Sequence, residues 1–154
     1  MSGFIANGLP TEDSRITNNG FFPDVDPNQF REVMRVDSGI TNARVRHALI
    51  DAIGKINIDL AAFKQLQSNL SIATLSDVPA PQVDGQSQHL HDYQRAVFCQ
   101  AKAELNERYQ DYDSSNNNSG RSDDIADSID DYRRQSILAV RRIAGVSQST
   151  IELI

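Results

Sequence analysis

The 154-residue chain has no tryptophan, one cysteine and two methionines, and basic side chains are its minority charge, 15 against 21 acidic ones. A lone cysteine, Cys99, cannot form an intramolecular disulfide or a cysteine-cluster zinc site, and it fits a reducing compartment. The shortage of positive charge gives a net charge of -6 and a pI of about 4.9. That balance argues against a nucleic-acid-wrapping surface, because such binding relies on lysine and arginine neutralising phosphates, though it leaves room for a local basic patch. No stretch reaches the roughly 18 apolar residues that suggest a membrane span, and the opening MSGFIANGLPTEDSR lacks a basic segment leading into an apolar run. These absences predict a soluble, intracellular protein. The sequence also has no glycine-rich phosphate loop and no local Ser-His-Asp motif, so nothing points to an enzyme or to a cofactor.

What is present is helical periodicity. Residues 1–24 carry Asn, Gly, Pro, Thr and Ser without a sustained period and read as a flexible, extended N-terminal arm interrupted by Phe21 and Phe22. Asp26-Pro27 supplies a cap followed by proline at the first helical position, and Phe30, Val33 and Met34 predict a short helix over 27–36. From a cap at Thr41 or Asn42, Val45, Leu49, Ala52, Ile53, Ile56, Leu60 and Phe63 step by three and four, predicting a rod of roughly 39 Å that ends near Leu66. Its other side carries Arg44, Arg46, Asp51, Lys55, Asp59 and Lys64, the mixture of a solvated face.

The stretch SIATLSDVPAPQVDGQS is too irregular for a helix and connects to a second rod, antiparallel to the first, over 87–112. That rod has an apolar stripe of Leu90, Tyr93, Val97, Phe98, Ala101, Leu105 and Tyr109. Ala96, Cys99 and Ala103 form a second strip that would let another helix or subunit approach closely, although alanine is also simply a good helix former. DSSNNNSGRS, residues 113–122, reads as a mobile tip. A last helix capped by Ser122 or Asp123 carries Ile125, Ile129, Tyr132, Val140 and Ile143 and stops at Gly145. Its early acids and late Arg141 and Arg142 follow the helix dipole.

Candidate chemistry is thin. His89, His91 and Asp92 are metal-ligand types, but residues two apart on a helix point in different directions, so no metal site is expected. His47 lies between apolar positions and reads as a boundary residue. The pairs Asp24/Asp26 and Asp111/Asp113 sit where helices begin or end, where capping explains them.

The tail AGVSQSTIELI suggests another use. Val140, Ala144, Gly145, Val146, Ile151 and Ile154 stand where lactose-repressor-type helix-turn-helix proteins carry apolar and turn residues. Three features oppose it: Arg141 stands where those proteins need a small residue, the reading segment carries Glu152 and no Lys or Arg, and the sequence stops before that helix would be complete. A DNA-binding protein is therefore the alternative reading, resting on this tail and on Arg133, Arg134, Arg141 and Arg142.

The segments NNGFFPDVDPNQFREVMRVD, ITNARVRHALIDAI, ATLSDVP, VDGQS, HDYQRAVFCQAKAELNERYQDYD, DDYRRQSILAVRRIAG and STIELI, taken in order, resemble the head completion (gpL-type) proteins of contractile-tailed temperate phages. The resemblance runs from about Gly20 to Ile154. It implies a structural protein of the virion, assembled in the host cytoplasm, that joins the portal vertex after DNA packaging, stabilises the filled head and prepares it for the tail. Its partners would be the portal protein, other copies in a ring of twelve, tail-completion proteins and, without sequence specificity, the packaged DNA in the channel.

The combined expectation is an all-α fold: a short first helix, two long antiparallel helices and a fourth helix in a small bundle. An N-terminal arm (1–24) precedes this helical connector domain (25–145), and a C-terminal tail (146–154) follows it. The surfaces expected to meet the portal or a neighbouring subunit are Phe21 and Phe22 on the arm, the strip Ala96, Cys99 and Ala103, and the tail residues Ile151, Glu152, Leu153 and Ile154. No catalytic, cofactor or metal residues are expected.

Overall fold

A computed structural model describes residue 11, residues 14–113 and residues 119–145. Most of the expected arm, part of the expected tip and the whole tail 146–154, with Ile151, Glu152, Leu153 and Ile154, lie outside the described residues. The body is helical, as the periodicity predicts, with one small hairpin added.

Helix α1, Pro27–Val33, begins as the sequence dictates: the Asp26 carboxylate accepts the Asn28 amide, and Pro27 takes the first helical position. It is shorter than expected. Val36 N donates to Arg31 O at 3.0 Å and Arg35 N to Glu32 O at 3.4 Å, the paired bonds of a Schellman end, with Arg35 at φ 49 where glycine is usual. Holding a non-glycine residue in the left-handed region costs roughly 1–2 kcal/mol, so the surrounding contacts must hold it there.

Helix α2, Asn42–Asp59, is capped by Thr41, whose hydroxyl accepts the Arg44 amide. The expected continuous rod to Leu66 is instead two helices. Leu60 (φ -100, ψ 9) ends α2, and α3, Ala61–Asn69, follows. No breaker residue marks this point; Leu60 is fully buried, and the bonds Leu60 N to Ile56 O (3.0 Å) and Lys64 N to Leu60 O (2.9 Å) run through it. After α3 a second Schellman end, with Ser71 at φ 61, turns the chain towards a 3-10 turn at Leu75–Asp77.

A feature absent from the sequence-based expectation comes next. Strands β1, Gln82–Val83, and β2, Gln86–Ser87, pair antiparallel across Asp84-Gly85. Both turn residues have positive φ, 53 and 72, which is the Asp-Gly signature of a two-residue hairpin.

Helix α4, Gln88–Asp113, is the centre of the molecule. Ala96 through Ala101 are six consecutive buried residues, so this helix is covered on every side. Helix α5, Ser119–Ala144, starts a little before the expected cap and ends where expected, at Gly145 with φ 72. Contacts Asp92–Arg142, Ala96–Ser136 and Glu107–Arg133 run in opposite directions along α4 and α5, making them antiparallel. Asn57–Tyr93 and Arg108–Asp51 show the same for α2 against α4. The layers are thus α2, α4 and α5, with α4 between the other two.

Candidate interaction site

The sequence points to three interaction surfaces, and the structure places two of them in the interior. Phe21 and Phe22 are 5% and 2% exposed. Phe22 stacks on Tyr93 with ring centroids 4.9 Å apart and planes 7° from parallel, while Phe21 meets the Phe22 and Phe63 rings edge-on. The described part of the arm is therefore held against the helices, with Ile16 paired to Val25 by two backbone bonds and the Phe21 carbonyl accepting the Leu75 amide.

A polar knot fixes this arrangement. Asn18 Nδ2 donates to Tyr93 Oη (2.8 Å), Tyr93 Oη donates to Asn57 Oδ1 (2.6 Å), and Asn57 Nδ2 donates back to Asn18 Oδ1 (2.9 Å). Each member of this closed ring both gives and receives, so three groups removed from bulk water are satisfied at once. Burial pushes the Tyr93 phenol up, with the Asn18 bond pulling weakly against it. The ring ties the arm to α2 and α4.

Ala96, Cys99 and Ala103 are 0%, 5% and 0% exposed. Ala96 and Cys99 face α5: Ser136 Oγ donates to the Ala96 carbonyl at 2.8 Å, and the Cys99 thiol lies 4.0 Å from Gln135 Oε1. Of the two uses the sequence allowed, close approach by another helix is the one seen, and the helix is the chain's own. A larger side chain at Ala96 would push Ser136 off its carbonyl. Burial also pushes the Cys99 thiol up, with Arg95 opposing and Asp131 adding to the shift.

At the top of the α4–α5 seam, Arg142 Nε donates to Asp92 Oδ1 at 2.9 Å, and Asp92 is 3% exposed. Sequence reasoning considered Asp92 as a metal ligand and assigned Arg142 to the helix dipole; only the fold brings them together. His89 and His91 make separate contacts. His91 Nε2 bonds the Val83 carbonyl of the hairpin at 2.8 Å. The His89 ring packs edge-on to Phe63, its Nδ1 has no partner among the described residues, and burial lowers its pKa against the opposing pull of Asp92. His47 lies 3.3 Å from Asp51. Among the described residues no three His, Cys, Asp or Glu side chains converge on a metal-sized site.

A groove of about 650 Å³ opens between the end of α1, α4 and α5. Phe98 and Met34 supply its apolar wall, and Arg35, Arg95 and Lys102 its cationic edge. Burial lowers the Lys102 pKa, and Asp37 opposes that. An apolar wall edged with cations can recognise a partner's surface. Of the four arginines of the DNA-binding alternative, Arg133 pairs with Glu107 and Arg142 with Asp92, and Arg134 reaches Asp131 at 3.9 Å, so acidic side chains lie beside three of the four. Among the described residues no helix is long and apolar enough to cross a membrane.

The chain is 37% identical over 130 residues to the head completion/stabilization protein of Escherichia phage P2, covering 84% of this chain and 77% of that one. It is 30% identical over 94 residues to the probable head completion/stabilization protein of Haemophilus phage HP1, covering 61% and 63% of the two chains. No solved structure matches. Residues 16–154 match the phage head completion protein (GPL) family, a span that includes every helix described above. The chain belongs to the phage head completion protein (GPL) family.

Proposed function

We propose that the chain completes the filled phage head at its portal vertex, binding the portal protein as a ring of twelve copies after DNA packaging and preparing the head for tail-completion proteins. It acts by assembly and catalyses no reaction. It gathers in the host cytoplasm while heads are filled and stays in the virion at the head-tail junction. The observation that carries this reading is the family match over residues 16–154, with relatives whose names state head completion and stabilization. The fold is compatible with such a use, since its core is held by one central helix and Asn18 of the arm is bonded to both Tyr93 and Asn57.

The acidic balance of the chain, -6 overall, suits a channel through which DNA passes. Like charge lowers affinity for phosphate, so packaged DNA would meet the ring without sequence-specific adhesion. The tail residues Ile151, Glu152, Leu153 and Ile154 serve as a strap to the portal or to a neighbouring copy.

The test is genetic and structural. Phage particles made without the chain should package DNA and then lose it, and supplying the chain in trans should restore DNA retention and tail joining. Heads that keep their DNA and accept tails in its absence would overturn the reading. Deleting residues 150–154 isolates the strap: a folded chain that no longer retains DNA in heads is the expected result, and normal heads would remove the tail from the interface.

A further inference from the structure

The groove between the end of α1, α4 and α5 concentrates positive charge on an acidic protein. Arg35, Arg95 and Lys102 line it against a single carboxylate, Asp92, which Arg142 already holds at 2.9 Å. Arg95 reaches the neutral Gln135 side chain at 3.3 Å. Among the described residues neither Arg35, Arg95 nor Lys102 forms an ion pair. Asp37, outside the groove, attracts Lys102 from farther away, yet burial still holds the Lys102 pKa below its usual value. Beside these cations Val33 is 56% exposed and Met34 is half-buried. Such a site suits a segment that brings apolar side chains and negative charge together.

Residues 146–154, VSQSTIELI, have that chemistry: Ile151, Leu153 and Ile154 surround Glu152, and no basic residue is among them. They also begin beside the groove. Arg142, bonded to the groove residue Asp92, lies one turn before Gly145, and Gly145 at φ 72 turns the chain out of the helix. From Asp92 to Lys102 α4 rises about 15 Å, and the six residues from Gly145 to Ile151 span up to about 20 Å, so the segment covers the length required. Alternate side chains of an extended segment point to opposite sides. That would separate Ile151 and Leu153 from Glu152, as the groove separates Val33 and Met34 on α1 from Arg95 and Lys102 on α4. A segment tethered this closely meets its site at an effective concentration on the order of mM, which favours the groove of its own chain over that of a second copy. A phosphate chain would use the cations but leave Val33 uncovered.

We propose that residues 151–154 of the unassembled chain dock in the groove of the same chain, with Ile151 and Leu153 on Val33 and Met34 and with Glu152 among Arg35, Arg95 and Lys102. The contact covers the tail's apolar side chains before assembly, and joining the head exchanges it for the strap contact proposed above. It belongs to the free chain, so it stands or falls independently of the head completion reading.

The test uses the full chain. Dilute protein carrying Val33→Cys and Leu153→Cys, with Cys99→Ala to remove the native thiol, should oxidise to a monomer with an internal disulfide, two hydrogens lighter and faster on a non-reducing gel. Glu152→Lys should lower the yield severalfold, and Lys102→Glu added to it should restore most of that yield. Free thiols throughout would overturn the proposal. So would disulfide-linked dimers and larger species, which would put the tail on another copy, and so would a yield indifferent to Glu152→Lys. The chain without engineered cysteines gives a second reading through its lysines Lys55, Lys64 and Lys102. An amine-modifying reagent should label Lys102 severalfold faster after Glu152→Gln, while Lys55 and Lys64 keep their rates. A Lys102 rate that this substitution leaves unchanged would also overturn the docking.

Discussion

Arg142, in the last turn of α5, donates its Nε hydrogen to the nearly buried Asp92 carboxylate in the first turns of α4, 2.9 Å away and 50 residues earlier in the chain. This bond closes the end of the α4–α5 hairpin opposite its connection. Arg142→Ala would strand the carboxylate in a site that is 3% exposed. The arginine itself is 41% exposed, so water can partly replace it, and the expected loss is about 1–3 kcal/mol rather than that of a fully buried pair. Denaturant midpoints measure it, and Arg142→Lys should restore part of the loss. An unchanged midpoint in Arg142→Ala would mean the pair contributes nothing.

Tyr93→Phe keeps the stack on Phe22 and removes one oxygen from the Asn18–Tyr93–Asn57 ring. Two amide groups then lose a partner each, and about 1–2 kcal/mol should go with them. Loss of the arm's anchor should show in hydrogen exchange at Ile16 and Val25, whose amides close the backbone bridge beside Asn18. Faster exchange there, with α5 amides unaffected, is the expected pattern; uniform acceleration would show that the ring stabilises the whole molecule instead.

Gly54→Ala should stabilise the isolated chain. The added methyl meets no neighbour within 4 Å, and alanine is favoured over glycine in a helix interior by up to about 1 kcal/mol. For a chain of this size that is roughly 2–4 °C in Tm. A fall in Tm would mean that Gly54 is needed by the monomer itself.

The His89 pKa lies below 6.5, with burial as the main cause, and this fixes the sign of a pH effect. Between the folded-state pKa and 6.5 the unfolded chain holds more protons on this group, so stability rises with pH across that window. The contribution is complete above pH 6.5 and is lost as pH falls through the folded-state pKa. His89→Phe, which keeps a ring against Phe63, should flatten the dependence of the denaturant midpoint below pH 6.5. An identical slope in the variant would assign that dependence to other groups.

Local chemistry made several elements readable in advance. Asp26-Pro27, Thr41 and Gly145 mark helix ends because capping and a left-handed stop depend on a few adjacent residues. Asp84-Gly85 carries an equally local hairpin signal, set in a stretch whose composition otherwise resembles irregular chain between helices. The break at Leu60 has no such signal, because the apolar period runs through it.

The candidate sites show the same division. Composition alone assigned Phe21 and Phe22 to an exposed arm, since their neighbours are polar. Their burial depends on Asn57 and Tyr93, 39 and 75 residues from Asn18, and contacts at that distance leave no local pattern. The small strip on α4 was visible as a place for close approach, but whether its occupant is α5 or another subunit is a tertiary matter. The sequence by itself determined the helical class, the helix caps and, through motifs kept in order along the chain, the family. Tertiary structure decided which apolar faces are used up internally and which apolar side chains, such as Ile58 and Leu70, stay open. The reason is that periodicity fixes how a helix's faces differ, whereas burial depends on what the rest of the chain brings against each face.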